Sequence, residues 1–320
     1  IIINTRYYLN ILGDSFKISA IDIGSNSIKN RIYNYDAACE SLYEIKELRR
    51  RVPLRLAKDI YDGSNKKIKK KTIKKLGKLL KDFEKTAKDN GVNYVRACAT
   101  AAIRQAKNRG NIINELRKFC DLEIEVISGE DEIKLIKNLG IPNNTLIDKT
   151  NTEKNYVIVD VGGGSTELIF IKGGKIFDLK SFPIGGVSLY QSKINKLKWQ
   201  EMGNYLSNFE NKNFNYMFGS GGGIRGLIKK QNKDNFKTED FNDLIYSISY
   251  LDKKRTSDLL NITSDRAETI KYTGSIYLYI AQKLKIKKIY ALPWGLIDGI
   301  AYSQIKKVLP NVYKYDTLCA

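Results

Sequence analysis

Two apolar runs in this chain break off in the same manner, and that coincidence restricts the fold more than anything else in the sequence. One is "AIDIGSNSIKNRIY", Ala20 to Tyr33, and the other is "VIVDVGGGSTELIFI", Val157 to Ile171. Each reads Asp, β-branched residue, Gly, two variable residues, Ser: Asp22, Gly24 and Ser27 in the first, Asp160, Gly162 and Ser165 in the second. Each looks like a buried strand, a glycine turn and a returning strand. The elements beyond each hairpin also repeat. After the first come a strand at 42–48, a basic helix at 67–90, a strand at 93–99, a helix at 101–119, a strand at 122–127 and a helix at 130–138. The second continues with a strand at 175–182 after a Gly173-Gly174 turn, a helix at 186–195, a strand at 214–218 and a helix from about 223. A mostly helical stretch at 230–286, a strand at 287–292 and a helix at 296–307 complete it. A repeat of this size predicts two similar α/β domains, with ligands favouring the cleft between them. The expected division is 1–138, a polar linker at 139–154, and 155–302, with the segment 303–320 packing back on the first domain.

Composition removes several chemistries. The 320 residues contain no histidine, so Ser-His-Asp and Cys-His catalysis and His-ligated zinc are excluded, and any acid or base must be Asp, Glu, Lys, Tyr or Cys. The cysteines at 39, 98, 120 and 319 show no metal-ligand spacing and read as reduced structural thiols. No apolar run reaches the length of a membrane span, and the N-terminal segment lacks signal-peptide order, so a cytoplasmic protein that does not bind membranes is expected. The net charge of +20 would draw a polyanion. Much of it, however, is read as solvated helix face: in 66–91 the residues Ile68, Ile73, Leu76, Leu79, Leu80 and Phe83 keep helical spacing while lysines fill the outer side. No nucleic-acid module appears, and none is expected to act here.

The turns suggest their own use. Glycine lets the backbone approach an anion, and successive N–H groups form a concave nest for it. Gly24, Ser25, Asn26 and Ser27 are candidates in the first turn, and Gly162, Gly163, Gly164, Ser165 and Thr166 in the second. An aspartate next to phosphate needs an intervening cation, and Mg²⁺ takes one or two carboxylates with phosphate oxygens and water. Asp22 and Asp160 are therefore metal candidates, and Glu167 is placed to reach the same ion as Asp160. A third glycine run, "GSGGGIRGL" from Gly219 to Leu227, joins a strand to a helix and adds Gly221 and Gly222 as phosphate donors. Each turn also has a purely structural explanation, since glycine is the ordinary turn residue.

With "IDIGSNSIK", "ATAAIRQAKN", "EVISGEDEIKLI", "VDVGGGSTEL", "FPIGGVSL", "GSGGGIRGL" and "LPWGLIDGIAY" in this order, the chain resembles the exopolyphosphatase / guanosine pentaphosphate phosphohydrolase (Ppx/GppA) family from about residue 18 to 305. The resemblance implies two actin-like, ribonuclease-H-like domains with the active site in their cleft. It also implies Mg²⁺-assisted release of terminal phosphate from inorganic polyphosphate or guanosine pentaphosphate, in a short family form with a homodimer as one possible assembly. On that resemblance Glu132 matches the catalytic base, and Asp160 and Glu167 match carboxylates that place metal and water. Gly24–Ser27 and Gly162–Ser165 match the phosphate-gripping turns, and Arg104 matches an arginine that contacts phosphate. The family usually has Glu where Asp131 stands. Glu130 and Asp131 read as helix-capping acids. Arg225 and Arg266 are weaker candidates. A kinase of the same superfold would also need two phosphate hairpins, but no adenosine or acceptor motif is visible. A polyphosphate- or alarmone-binding regulator is the non-enzymatic alternative, against which the retained carboxylates argue.

Overall fold

The computed structural model describes residues 15–37, 41–62, 65–139, 155–191, 196–228 and 235–309. The extension before residue 15, nearly all of the expected linker, Cys39, Cys319 and the last eleven positions of the chain lie outside the described residues. The chain divides into two units. The first takes the described residues of Ile1–Ser128, Lys134–Thr145 and Leu296–Ala320, and the second those of Gly129–Ile133 and Leu146–Gly295.

The first unit is organised around β1 (Ser15–Ile23), in which every residue from Ile18 to Ile23 is buried. A stretch of strand enclosed on both faces is apolar along its length, as Ile18–Ile23 is except at Ser19 and Asp22. It pairs antiparallel with β2 (Ile28–Asp36), which carries β3 (Ser41–Glu44) and β4 (Arg50–Val52). On its other side β1 pairs in parallel with β5 (Tyr94–Ala99), followed by β6 (Ile124–Val126). Helix α1 (Leu56–Asp62) and the lysine-rich α2 (Lys70–Asp89) follow β4. In α2 the residues Ile73, Leu76, Leu80, Phe83 and Ala87 are buried, so the basic run is the solvated face of an amphipathic helix.

The sequence predicts one helix over 101–119, but there are two, α3 (Ala101–Gln105) and α4 (Arg109–Leu116). The break is held from elsewhere in the chain. Lys107 N donates to Lys66 O at 2.9 Å, and the Asn108 side chain exchanges two hydrogen bonds with the main chain of Ile68. Those bonds satisfy the groups that a continuous helix would have used. The expected strand 42–48 ends at Glu44 and gives way to a 3₁₀ turn at Lys46–Leu48. The unit is completed by part of α5 (Gly129–Lys137) and by α12 (Leu296–Val308). The buried Asp298 of the latter accepts from Arg31 Nη1 and from Tyr33 Oη, both at 2.8 Å.

The second unit repeats the plan. Its strands are β7 (Tyr156–Val161), β8 (Thr166–Lys172), β9 (Lys175–Phe182), β10 (Tyr216–Ser220), β11 (Asn235–Lys237) and β12 (Lys288–Ala291). They lie in the order β11-β12-β10-β7-β8-β9. Leaving aside the short β4 and β11, each sheet runs third-second-first-fourth-fifth, with the first two connections antiparallel and the last two strands parallel to the first. Each unit is thus actin-like in arrangement. The helices are α6 (Gly186–Tyr190), α7 (Lys196–Ser207), α8 (Gly221–Ile228), α9 (Thr238–Ser249), α10 (Lys253–Leu260) and α11 (Ser264–Lys283). Both α7 and β11 are absent from the sequence expectation, and α8 starts two residues early.

The core of this unit is aromatic at one end. Phe170 of β8 stacks on Phe209 with centroids 3.9 Å apart, and Phe214 meets it edge-on at 5.1 Å. Phe170→Ala should cost about 3–5 kcal/mol, the usual penalty for emptying a buried phenyl site. Chemical denaturation of variant and parent checks this.

Candidate functional site

In β7 the apolar run Val157–Val161 is interrupted only by Asp160. Antiparallel register sets Asp160 opposite Glu167 of β8, and parallel register sets it beside Ser220 of β10. Glu132 comes from the first turn of α5. That turn starts at Gly129, where an added Cβ would collide with Ser181 of β9 and lie 3.9 Å from Glu167 Oε1. Glu132, Glu167 and Asp160 are 5%, 2% and 9% exposed. Burial, then the charge of Glu132, then that of Asp160, pushes the Glu167 carboxyl well above the usual carboxylate range. Hydrogen bonds from Ser181, at 2.9 Å to Oε1, and from Ser165 oppose the shift. Glu130 is exposed and Asp131 half-buried on the same turn, as expected of capping acids.

The turn after β7 is fastened from behind. Gly162 O accepts from Gly186 N at 2.9 Å, and Gly163 O accepts from Val187 N and Ser188 N at 2.9 and 3.0 Å. In a trans peptide the N–H points opposite to the C=O. The amides of Gly163 and Gly164 are therefore turned away from α6. The contact needs a bare backbone at Gly185, where a Cβ would come within 2.5 Å of the Gly163 carbonyl carbon and Gly164 N. Thr166, expected as a ligand donor, is fully buried and gives its proton to Ile184 O at 2.6 Å. Its hydroxyl fastens β8 to the segment before α6.

The third glycine turn lies against the same acid. Gly221 has φ +87°, and a Cβ there would lie 2.8 Å from Asp160 Oδ1. An L side chain would meet both strain and a carboxylate. Arg266 of α11 brings its guanidinium to within 3.0 Å of where a Cβ of Gly222 would stand. Arg225 is committed to the carbonyls of Leu292 and Trp294, at 3.0 and 2.7 Å. Behind the site the buried Tyr277 hydroxyl donates to Ser220 O at 2.9 Å and accepts from Val161 N at 3.3 Å, clamping β7 and β10 on either side of Asp160. Neither Tyr277 nor Ser181 is marked in the sequence, since each is far along the chain from the residues it serves.

The first unit carries the matching turn. Ser25 O accepts from Ala57 N and Asn26 O from Arg55 N, both at 2.9 Å, so the amides of Asn26 and Ser27 are turned away from α1. Arg55 is held at φ +51°, an unusual place for an arginine. Asp22 is buried beside Gly24, and Lys29 Nζ lies 2.6 Å from its Oδ2. Arg104 donates from Nη1 to Ile127 O at 2.7 Å, which ties α3 to the end of β6.

Among the described residues, no set of three His, Cys, Asp or Glu side chains forms a cage for a metal ion. Mg²⁺ needs no such cage, because one or two carboxylates hold it and phosphate oxygens and water complete its shell. Asp160 and Glu167, facing each other across one register position in a buried acidic site, suit such an ion. Asp22 is paired with Lys29 across its own hairpin.

The raised Glu167 value has a definite sign for stability. The folded protein holds this proton more tightly than the unfolded chain. Its contribution is complete below the ordinary carboxylate range and is lost as pH rises through the raised folded value. In EDTA, Glu167→Gln should therefore melt close to the parent at acid pH and above it as pH rises. Scanning calorimetry across pH checks this; a difference constant with pH would contradict it.

The sequence model of the Ppx/GppA phosphatase family matches residues 35–202. Among solved structures, the Ppx/GppA family member from Aquifex aeolicus is 23% identical with a TM-score of 0.70, over 92% of this chain and 98% of that one. An exopolyphosphatase from Cytophaga hutchinsonii is 20% identical with a TM-score of 0.75, over 93% and 100%. At these identities the likeness is one of fold.

Proposed function

The chain belongs to the Ppx/GppA phosphatase family, and from that premise we propose that it hydrolyses the terminal phosphoanhydride of inorganic polyphosphate, of guanosine pentaphosphate, or of both, in the cytoplasm. The observation that carries the reading is the buried meeting of Glu132, Glu167 and Asp160 beside two amides of a glycine turn. Burying acids together is costly, and such clusters are found where chemistry uses them.

In this mechanism Glu132 orients the attacking water and takes its proton. The water oxygen bonds to the terminal phosphorus, the bond from phosphorus to the bridging oxygen breaks with its electron pair staying on that oxygen, and orthophosphate and the shortened phosphate chain are released. The amides of Gly163 and Gly164 hold the transferred phosphoryl, and the Arg266 guanidinium at Gly222 adds positive charge on the same side. Asp160 and Glu167 would hold Mg²⁺, which when bound offsets their charge and that of the phosphates. Ser181 and Ser165 fix the Glu167 carboxyl, and Tyr277 fixes the main chain on which Asp160 stands.

Phosphate release from polyphosphate and from guanosine pentaphosphate, each with and without Mg²⁺, tests the reading. Release from neither substrate would reject it. Glu132→Gln should lower kcat by roughly 10²–10⁴-fold, the usual contribution of a general base, with little change in substrate binding. Gly185→Ala should displace the Gly163–Gly164 backbone, cost about 1–3 kcal/mol of stability, and raise KM. Thermal melts with initial rates check both effects on one sample.

A further inference from the structure

The first half of α2 and the segment leading into it are charged differently from its second half. The stretch "KKIKKKTIKKLGKLLK", Lys66 to Lys81, is more than half lysine and holds no acid. From Asp82 onward the charges are matched: Lys85 lies 2.7 Å from Asp89, Lys88 lies 3.2 Å from Glu84, and Asp82 meets Arg50 at 3.1 Å. Before Asp82 they are not. Lys70, Lys74, Lys78 and Lys81 are exposed, and none of them has an acidic partner among the described residues. We propose that this face of α2 is a holding site for long-chain inorganic polyphosphate, set apart from the residues that carry out hydrolysis. The inference rests on the hydrolase reading for its substrate class, and goes beyond it in choosing the substrate that is a chain.

The four lysines follow one another at intervals of four, four and three residues, so they stand on one side of the helix. At the usual rise of an α-helix the row is about 16 Å long. The helix is firmly seated on its other side. Ile73, Leu76, Leu80, Phe83 and Ala87 are buried, and at Gly77 a Cβ would come within 2.5 Å of the Phe119 ring, so the backbone lies directly against that phenyl. The segment before the helix is tied down as well. Lys66 O accepts from Lys107 N at 2.9 Å, and the main chain of Ile68 exchanges two bonds with the Asn108 side chain. These bonds bring the exposed Lys107 next to the exposed Lys66 and Lys67.

Like charges gathered in this way oppose folding. The helix has Lys69 as its N-cap, without a side-chain cap bond, and no acid in its first turn, although the helix dipole disfavours cations there. Solubility asks for less, as the paired second half shows. A bound polyanion offsets the repulsion. Its kind follows from what the face lacks. Phe83, the aromatic residue of α2, is fully buried, and the row contains lysine rather than arginine. The face therefore has neither the stacking rings nor the planar forks that engage nucleic acids. No apolar side chain of α2 is exposed to enter a bilayer. Ammonium groups on flexible stems suit an anion whose charges repeat along a line. Guanosine pentaphosphate, with its phosphates on one nucleoside, offers no such line.

The variant K70Q/K74Q/K78Q/K81Q tests this on the full chain, beside K237Q/K253Q/K254Q/K283Q, which removes the same charge from exposed positions of the second unit. Glutamine matches lysine in helix propensity, and thermal melts check that both variants fold. Binding of long-chain sodium polyphosphate is titrated in EDTA at several salt concentrations. Phosphate release in Mg²⁺ is then followed from the long chain and from tripolyphosphate. The α2 variant should bind the long chain about tenfold more weakly, the sum expected of four exposed ion pairs, and its plot of log K against log salt should be shallower by about 3. Its KM for the long chain should rise by the same factor, while kcat and the KM for tripolyphosphate stay within about twofold of wild type. The control variant should behave as wild type. The proposal falls if the α2 variant keeps its KM for the long chain, if the control loses as much, or if the KM for tripolyphosphate rises equally, which would put these lysines in the hydrolytic site. Tighter binding of polyuridylate or of phosphatidylserine vesicles than of polyphosphate, lost in the α2 variant, would also overturn it. A wild type that binds the long chain through these lysines but releases phosphate from no substrate would remove the hydrolase reading and leave the holding site in place.

Discussion

The pairing of the first two strands in each unit fixes which side chain stands across from the aspartate. Slipping either hairpin by one residue would turn its whole row of side chains to the opposite face. In β1 and β7 such a slip would carry the acid, Asp22 or Asp160, to the opposite face of its strand, where Ile21 and Ile23, or Val159 and Val161, are enclosed. The apolar strands therefore do more than fill a core. They hold Asp22 against Lys29 and Asp160 against Glu167.

The arrangement around Asp160 works against the stability of the ligand-free protein. Three acids share a site from which water is largely excluded, and burial with the charges of Glu132 and Asp160 raises the proton affinity of Glu167. The surroundings are built to withstand this. Ser181 and Ser165 support one carboxyl, Tyr277 bridges the two strands under another, and α6 grips the turn through three main-chain bonds. Strain of this kind persists only where neighbouring structure over-determines it. It is the pattern expected where binding a cation and a polyanion relieves the repulsion.

Much of the fold is legible in the sequence because its signals are local. The apolar runs ending at Asp22 and Asp160, the glycine turns after them, and the spacing of Ile73, Leu76, Leu80 and Phe83 each report on their own neighbourhood. The break between α3 and α4 is not legible, because it is decided by bonds from Lys107 and Asn108 to residues some forty positions earlier. The three-residue β11 is a strand only because β12 lies beside it. For the site, the acids and glycines can be picked out by type and spacing. Thr166 cannot be assigned that way, since only Ile184 O reveals where its proton goes. The Lys29–Asp22 pair is hidden for the opposite reason: in a chain with 55 Lys and Arg, one more lysine after a turn carries no signal until the register is known.

The buried knot of Arg31, Tyr33 and Asp298 joins β2, near the start of the described chain, to α12, near its end. A ribosome delivers those partners 265 and 267 positions apart. The second unit, continuous in sequence from Leu146 to Gly295 apart from the short Gly129–Ile133 segment, has all its strands before Asp298 emerges. During synthesis β2 is therefore made long before its aspartate, and Arg31 and Tyr33 wait for Asp298 until nearly all of the described chain has emerged. A nascent chain stalled short of residue 298 lacks that buried partner, and the length of the wait is set by the speed of translation.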